Sequence, residues 1–119
     1  MMSLQNKLKQ IGTALATVTT NCYHYWRPVK TVPCIIWAEN GEDGASYGDN
    51  HKTEQVITGT VDFFTKTEFD PLADSVQATL DSLGLSWSLE SVQFEDETGF
   101  IHMEWEWGVA HGEDNDEGT

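Results

Sequence analysis

Positive charge is scarce in this chain of 119 residues: six Lys and Arg stand against twenty Asp and Glu, giving a formal charge of −14 and an isoelectric point near 4.3. A surface of that sign repels phosphate, which excludes nucleic-acid binding and attachment to anionic lipid. Cysteine is scarce too. Cys22 and Cys34 are too few for a disulfide framework. With no secretory signal in view they read as reduced thiols in the core, a cross-strand disulfide being the alternative. Long hydrophobic runs are missing. The segment MMSLQNKLKQIGTALATV spaces its apolar residues, unlike a signal-peptide core or a membrane span, and the expectation is a protein of the cytosol. The length suits one domain.

Aromatic residues are plentiful, with five Trp, five Phe and three Tyr, more bulky apolar material than a disordered chain of this charge carries. Charge is also segregated along the chain. Residues 1 to 38 contain Lys7, Lys9, Arg27 and Lys30 and no acid, whereas all twenty acids follow, against only Lys52 and Lys66. One reading is an acidic solvated surface. The sharper reading is a molecule with a basic side and an acidic side, suited to head-to-tail contacts that close into a ring.

Leu4, Leu8, Ile11, Leu15 and Val18 recur at helical spacing and predict an amphipathic helix from about Ser3, its N-cap, to Thr17. Strands are expected near residues 22 to 26 and 33 to 39, and a long acidic, glycine-bearing loop over 40 to 50. A third strand, about Glu54 to Thr65, puts Ile57, Val61 and Phe63 on one face around Gly59, which marks a bulge or a close backbone approach. Asp70-Pro71 starts a second helix with the stripe Leu72, Val76, Leu80 and Leu83, and Gly84 stops it. Trp87 and Leu89 then differ in phase from Val92 and Phe94, which predicts a bulge near Glu90 and Ser91. In the last strand Ile101, Met103, Trp105, Trp107 and Val109 share the apolar face, and Phe100, His102, Glu104 and Glu106 the other. The turn Asp96 to Gly99 sets Phe94 opposite Ile101 and Val92 opposite Met103, with burial expected to agree. Residues 111 to 119 read as an acidic disordered tail after a single domain over 1 to 110. The fold class is α+β, in the order α-β-β-β-α-β-β, with an antiparallel or mixed sheet covered by two helices on one face.

Chemistry finds little purchase. His102, Glu104 and Glu106 stand about 7 Å apart along one strand face, wide for a single ion, and read as structural. The acidic loop fails as an EF-hand because Gly41 and Asn50 fall where ligands are required, leaving only a looser calcium arrangement of Glu42, Asp43 and Asp49. GEDG lacks the Lys and spacing of a phosphate loop. Cys22 and His24 show no activating partner and read as core and surface. Trp105 and Trp107 read as core, with a sugar-stacking face as the alternative. No catalytic residue, cofactor, metal or small-molecule substrate is assigned, and the protein is expected not to be an enzyme.

The run VPCIIWAENGEDGASYGDNHKTEQVITGTVDFFTKTEFDPLADSVQATL, followed by SWSLESVQFEDETGFIHMEWEWGV, resembles a family of small tail-assembly proteins of phages and prophages of Gram-positive bacteria. That family is similar to the tail terminator or tail completion proteins of long-tailed phages. The resemblance spans about residues 32 to 109 and is most specific at Gly59 to Pro71 and at Phe94 to Trp107, neither a catalytic motif. It implies a virion protein, assembled in the host cytoplasm, that forms a hexameric ring at the head-proximal end of the tail. Its implied partners are copies of itself, the major tail protein and neck or connector proteins. In such a ring Arg27 and Lys30 of one copy would meet Asp62, Glu68 or Asp74 of the next. The 40 to 50 loop, with Glu42, Asp43, Tyr47 and Asp49, would dock on the tube or the neck. A neck or head-closure connector is the alternative of the same class, and an acidic mimic of nucleic acid that inhibits a basic enzyme is the alternative of another.

Overall fold

A computed structural model describes residues 2–26, 31–48 and 51–112, without the side chains of 44–48 and 51–53. The elements follow the expected order: α1 (Leu4–Leu15), β1 (Cys22–His24), β2 (Cys34–Gly48), β3 (His51–Thr65), α2 (Pro71–Ser82), β4 (Ser86–Glu95) and β5 (Phe100–Gly112). The five strands form one mixed sheet in the spatial order β1-β2-β3-β5-β4, in which only β1 runs parallel to its neighbour.

Both helices begin where capping chemistry dictates. Ser3 accepts the Asn6 amide at 3.1 Å, satisfying one of the orphan donors of α1. Asp70 does more: Oδ1 accepts the Leu72 amide at 2.9 Å and Oδ2 accepts the Thr65 hydroxyl at 2.6 Å, tying the end of β3 to the start of α2. Because Thr65 is buried, Asp70→Ala leaves the Thr65 hydroxyl proton without an acceptor as well as an uncapped helix, although the Thr65 oxygen still accepts the Thr67 amide, and should lower stability by about 2 kcal/mol in urea unfolding. Gly84, at φ +73°, ends the helical stretch.

One face of the sheet receives both helices. Leu8, Ile11 and Leu15 of α1 and Val76 and Leu80 of α2 pack against Ile35, Trp37, Ile57, Val61, Phe63, Trp105 and Trp107 in a single core. Glycine fixes how closely these layers meet. The Trp37 ring lies over Gly12 of α1, and the Trp107 ring lies over Gly59 of β3, as a close backbone approach requires. The buried Trp105 and Trp107 overturn the sugar-stacking alternative, which needs exposed indoles. Neither Cys22 nor Cys34 is in a disulfide; Cys34 is buried and Cys22 partly so.

Parallel strands ordinarily need a long crossover, whereas β1 returns to β2 through residues 25–33 alone. Asn21 ties the close of this return to the start of β1: its side-chain amide donates to Thr31 O at 3.0 Å and to Pro33 O at 2.8 Å, and its backbone carbonyl accepts the Ile35 amide at 2.9 Å.

Three expectations are corrected. Residues 40–48 are not a loop: β2 continues through Gly48 and pairs with β3 down to His51, absorbing irregularities between Glu39 and Gly41, Glu42 and Ala45, and Ser46 and Tyr47. Backbone hydrogen bonds hold this ribbon without apolar alternation, and the 54 Å longest dimension of the molecule, against 24 and 23 Å, accommodates it. Second, β4 and β5 pair in the expected register, with the bulge between Leu89 and Ser91, but Val92 and Phe94 are exposed because the helices stop short of that end of the sheet. Third, the strand expected near 22 to 26 ends at His24, because Tyr25 turns to φ +77°; Phe100, on the face away from the helices, is buried edge-on to Phe64. β5 also runs on through Gly112, beyond the expected domain end, and residues 113–119 lie outside the described residues.

Candidate functional site

Two surfaces, at opposite edges of the sheet, carry exposed apolar groups on a fixed backbone. The first is the corner that follows β1. His24 stacks between the Tyr25 ring at 3.9 Å and the Trp37 ring at 4.0 Å, and its Nε2 lies 2.7 Å from Glu39 Oε1. A carboxylate oxygen can only accept, so that nitrogen carries the hydrogen. The Tyr25 hydroxyl donates to the other oxygen, Oε2, at 2.6 Å. The Tyr25 amide donates to Trp37 O at 2.8 Å and the Trp26 amide to His24 O at 3.0 Å, which holds Tyr25 at φ +77°. Trp26 is thereby turned outward with 66% of its surface exposed.

Burial works to raise the Glu39 pKa, but the hydrogen bonds from Tyr25 and His24 outweigh it and hold the carboxyl below its usual range. The same bond to Glu39, with some desolvation, pushes the Tyr25 phenol up. A depressed carboxyl pKa means stabilisation present at neutral pH and lost as pH falls through the lowered value. A raised phenol pKa means a contribution present below the ordinary tyrosine range and lost as pH rises through the raised value. The corner should therefore open at both an acid and an alkaline edge. Ring shifts of isotope-labelled Tyr25, followed by NMR across pH, should show both steps, and Glu39→Gln should remove the acid one. A single alkaline step in the wild type would refute the clamp. Beneath the corner, burial, with a smaller effect of nearby Cys34, pushes the Cys22 thiol up to about 11, so at neutral pH it is protonated and a poor nucleophile.

The second surface is a groove of about 430 Å³ between the β3–α2 turn and the uncovered ends of β4 and β5. Its apolar lining includes Phe69, Ala73, Val92, Ile101 and Met103, and its rim carries Glu68 and Asp74. Phe69 sits at φ +58° and is 93% exposed; Val92 and Phe94 are 57% and 63% exposed. Large apolar residues gathered on one surface under an acidic rim have the composition of a contact patch.

The open face of the sheet differs in character. His102 stacks on Phe64 at 4.3 Å and its Nε2 lies 2.6 Å from Asp62 Oδ1, while Glu104 stands opposite Asp62 on the neighbouring strand. No group of three or more His, Cys, Asp or Glu able to hold a metal ion occurs among the described residues. No helix among them is long and apolar enough to cross a membrane.

Of the acids singled out from the sequence, Glu68 and Asp74 come together on the groove, whereas Asp62 points to the opposite face, paired with His102. Glu42 and Asp43 are exposed on the ribbon, where the Gln55 side chain donates to Glu42 at 3.4 Å. Tyr47 is placed by its backbone alone, opposite Lys52. Arg27, Lys30 and Asp49 lie outside the described residues. Sequence reasoning missed Tyr25, Trp26 and Phe69 as exposed groups. The available signal was that Trp26 and Phe69 immediately precede Arg-Pro and Asp-Pro; Tyr25 and Trp26 were read instead as part of the strand expected near 22 to 26.

No family model matches the sequence. No curated protein matches it either. In three dimensions the chain is similar to one from the virion of a native gene transfer agent particle, with a TM-score of 0.53 at 10% sequence identity. That match covers 93% of this chain and 96% of the other, and at this identity it establishes a common fold from end to end.

Proposed function

We propose that this chain is a non-enzymatic structural protein of a phage-type virion. Within that class we assign it as a tail terminator or tail completion protein, a ring at the head-proximal end of the tail tube that stops polymerisation and joins tail to head. The observation that carries the reading is the near-complete, two-way fold match to a virion chain. The segregated charge and the two apolar surfaces at opposite edges support it, because a heterologous contact needs two different patches on one molecule. The reading names copies of itself, the major tail protein and neck proteins as partners, and a hexamer as the ring.

The test is electron microscopy of particles made without this gene. Overlong tails are the expected result. Tails of normal length detached from full heads would reassign the chain to head closure, and intact infectious particles would remove it from the virion altogether.

A further inference from the structure

Tyr25 and Phe69 are the two non-glycine residues at positive φ among those described. Bulky side chains are uncommon in that region and persist only where surrounding contacts over-determine them. At the corner those contacts are the two backbone hydrogen bonds, the ring stack and the bond to Glu39. At the groove they include the Thr65–Asp70 bond, which closes the turn around Phe69. Neither conformation buries its aromatic group. The fold instead holds the backbone so that the side chains of Trp26 and Phe69 face water.

Register places them on opposite edges. The corner sits beside β1, level with Trp37 and Glu39; the groove lies toward β4, level with Ile101 and Met103. From this juxtaposition we infer that Trp26 of one copy seats in the groove of Phe69, Val92 and Met103 of the next copy. The contact is heterologous, and it deepens and rests on the ring reading above.

Charge selects a second copy as the occupant. At −14 overall, two copies repel at long range, so a contact between them requires local opposites. The groove rim supplies acids in Glu68 and Asp74, and the stretch with positive excess is the first third of this same chain, where Arg27 and Lys30 follow Trp26 in sequence. Size agrees as well. A cleft of about 430 Å³ is within the range that encloses compact ligands, and tryptophan is among the side chains enriched as interface anchors.

The experiment uses the full chain with Trp26→Ala, Val92→Glu and their equimolar mixture, each measured by sedimentation velocity and native mass spectrometry with and without tail-tube protein. Both are changes at exposed positions, so thermal midpoints should stay at the wild-type value. Each variant alone should self-associate at least about thirtyfold more weakly. The mixture should form a discrete two-chain species and nothing larger, because Val92→Glu keeps an intact corner and Trp26→Ala an intact groove. A mixture that stays monomeric, or variants that assemble like wild type, would overturn the contact while leaving a ring by another surface. If Trp26→Ala assembles normally but no longer captures tail-tube protein, the corner belongs to that partner and the self-contact is wrong. A wild-type chain that remains monomeric even with tail-tube protein would sink the ring reading and this contact together.

Discussion

Trp105→Ala should lower the stability of this protein by about 4 kcal/mol, the range observed when a large buried aromatic is truncated. Trp105 is fully buried in the middle of β5, between Val61 and Leu89 on the flanking strands, and its indole N–H donates to Gln77 Oε1 on α2 at 3.0 Å. Alanine would remove the ring that fills the space beneath α2 and the polar link that orients the helix over the sheet. A single domain is stable by roughly 5–15 kcal/mol, so the loss is a large share of the total. The thermal midpoint should fall by on the order of 15 °C, followed by far-UV circular dichroism. Trp105→Phe keeps most of the packing and should lose only about 1 to 2 kcal/mol with the hydrogen bond. Equal midpoints for Trp105→Ala and wild type would show that the core is not centred where the structure puts it.

Gly59→Ala should be nearly as damaging although it adds a single methyl group. A Cβ at Gly59 would lie 2.2 Å from the Ala38 carbonyl oxygen and 2.2 Å from Cζ2 of Trp107. One obstacle is backbone of the neighbouring strand and the other is a buried ring without free volume around it, so neither can yield by a rotamer change. Overpacking of this kind costs about 3 kcal/mol or more. Gly41→Ala is the internal control, since nothing lies within 4 Å of its added Cβ, and urea unfolding should find it within about 0.5 kcal/mol of wild type. Adding Trp107→Leu to Gly59→Ala should recover only part of the deficit, because the carbonyl stays in place.

The helices were legible because each carries its own boundary chemistry: Ser3 at one start, Asp70-Pro71 at the other, Gly84 as a stop. The β4–β5 register was legible because a four-residue turn leaves a single alignment in which the apolar faces coincide. β2 past Glu39 was not. Its ENGEDGASYG sequence has the composition of a loop, and it is extended because β3 offers a backbone ladder, a property of the partner and not of the segment. Nor was the exposure of Val92 and Phe94, since period-two alternation reports which side of a sheet a residue occupies and not whether a helix reaches that far. Glu68 and Asp74 were recognised by charge, but only the turn at Phe69 brings them onto one groove. Nor was the exposure of Trp26 legible, because it follows from the Tyr25 backbone, held by contacts with residues 37 and 39 across the return from β1.

The β2–β3 ribbon has a consequence for reach. Among the described residues β5 pairs with β3 as far as Glu54, and beyond that point the described strands β2 and β3 pair with each other. Excising two residues from each of its strands preserves which way every remaining side chain faces, and shortens the arm by about 7 Å per step. The arm can thus be trimmed in discrete increments at positions that carry none of the described core residues.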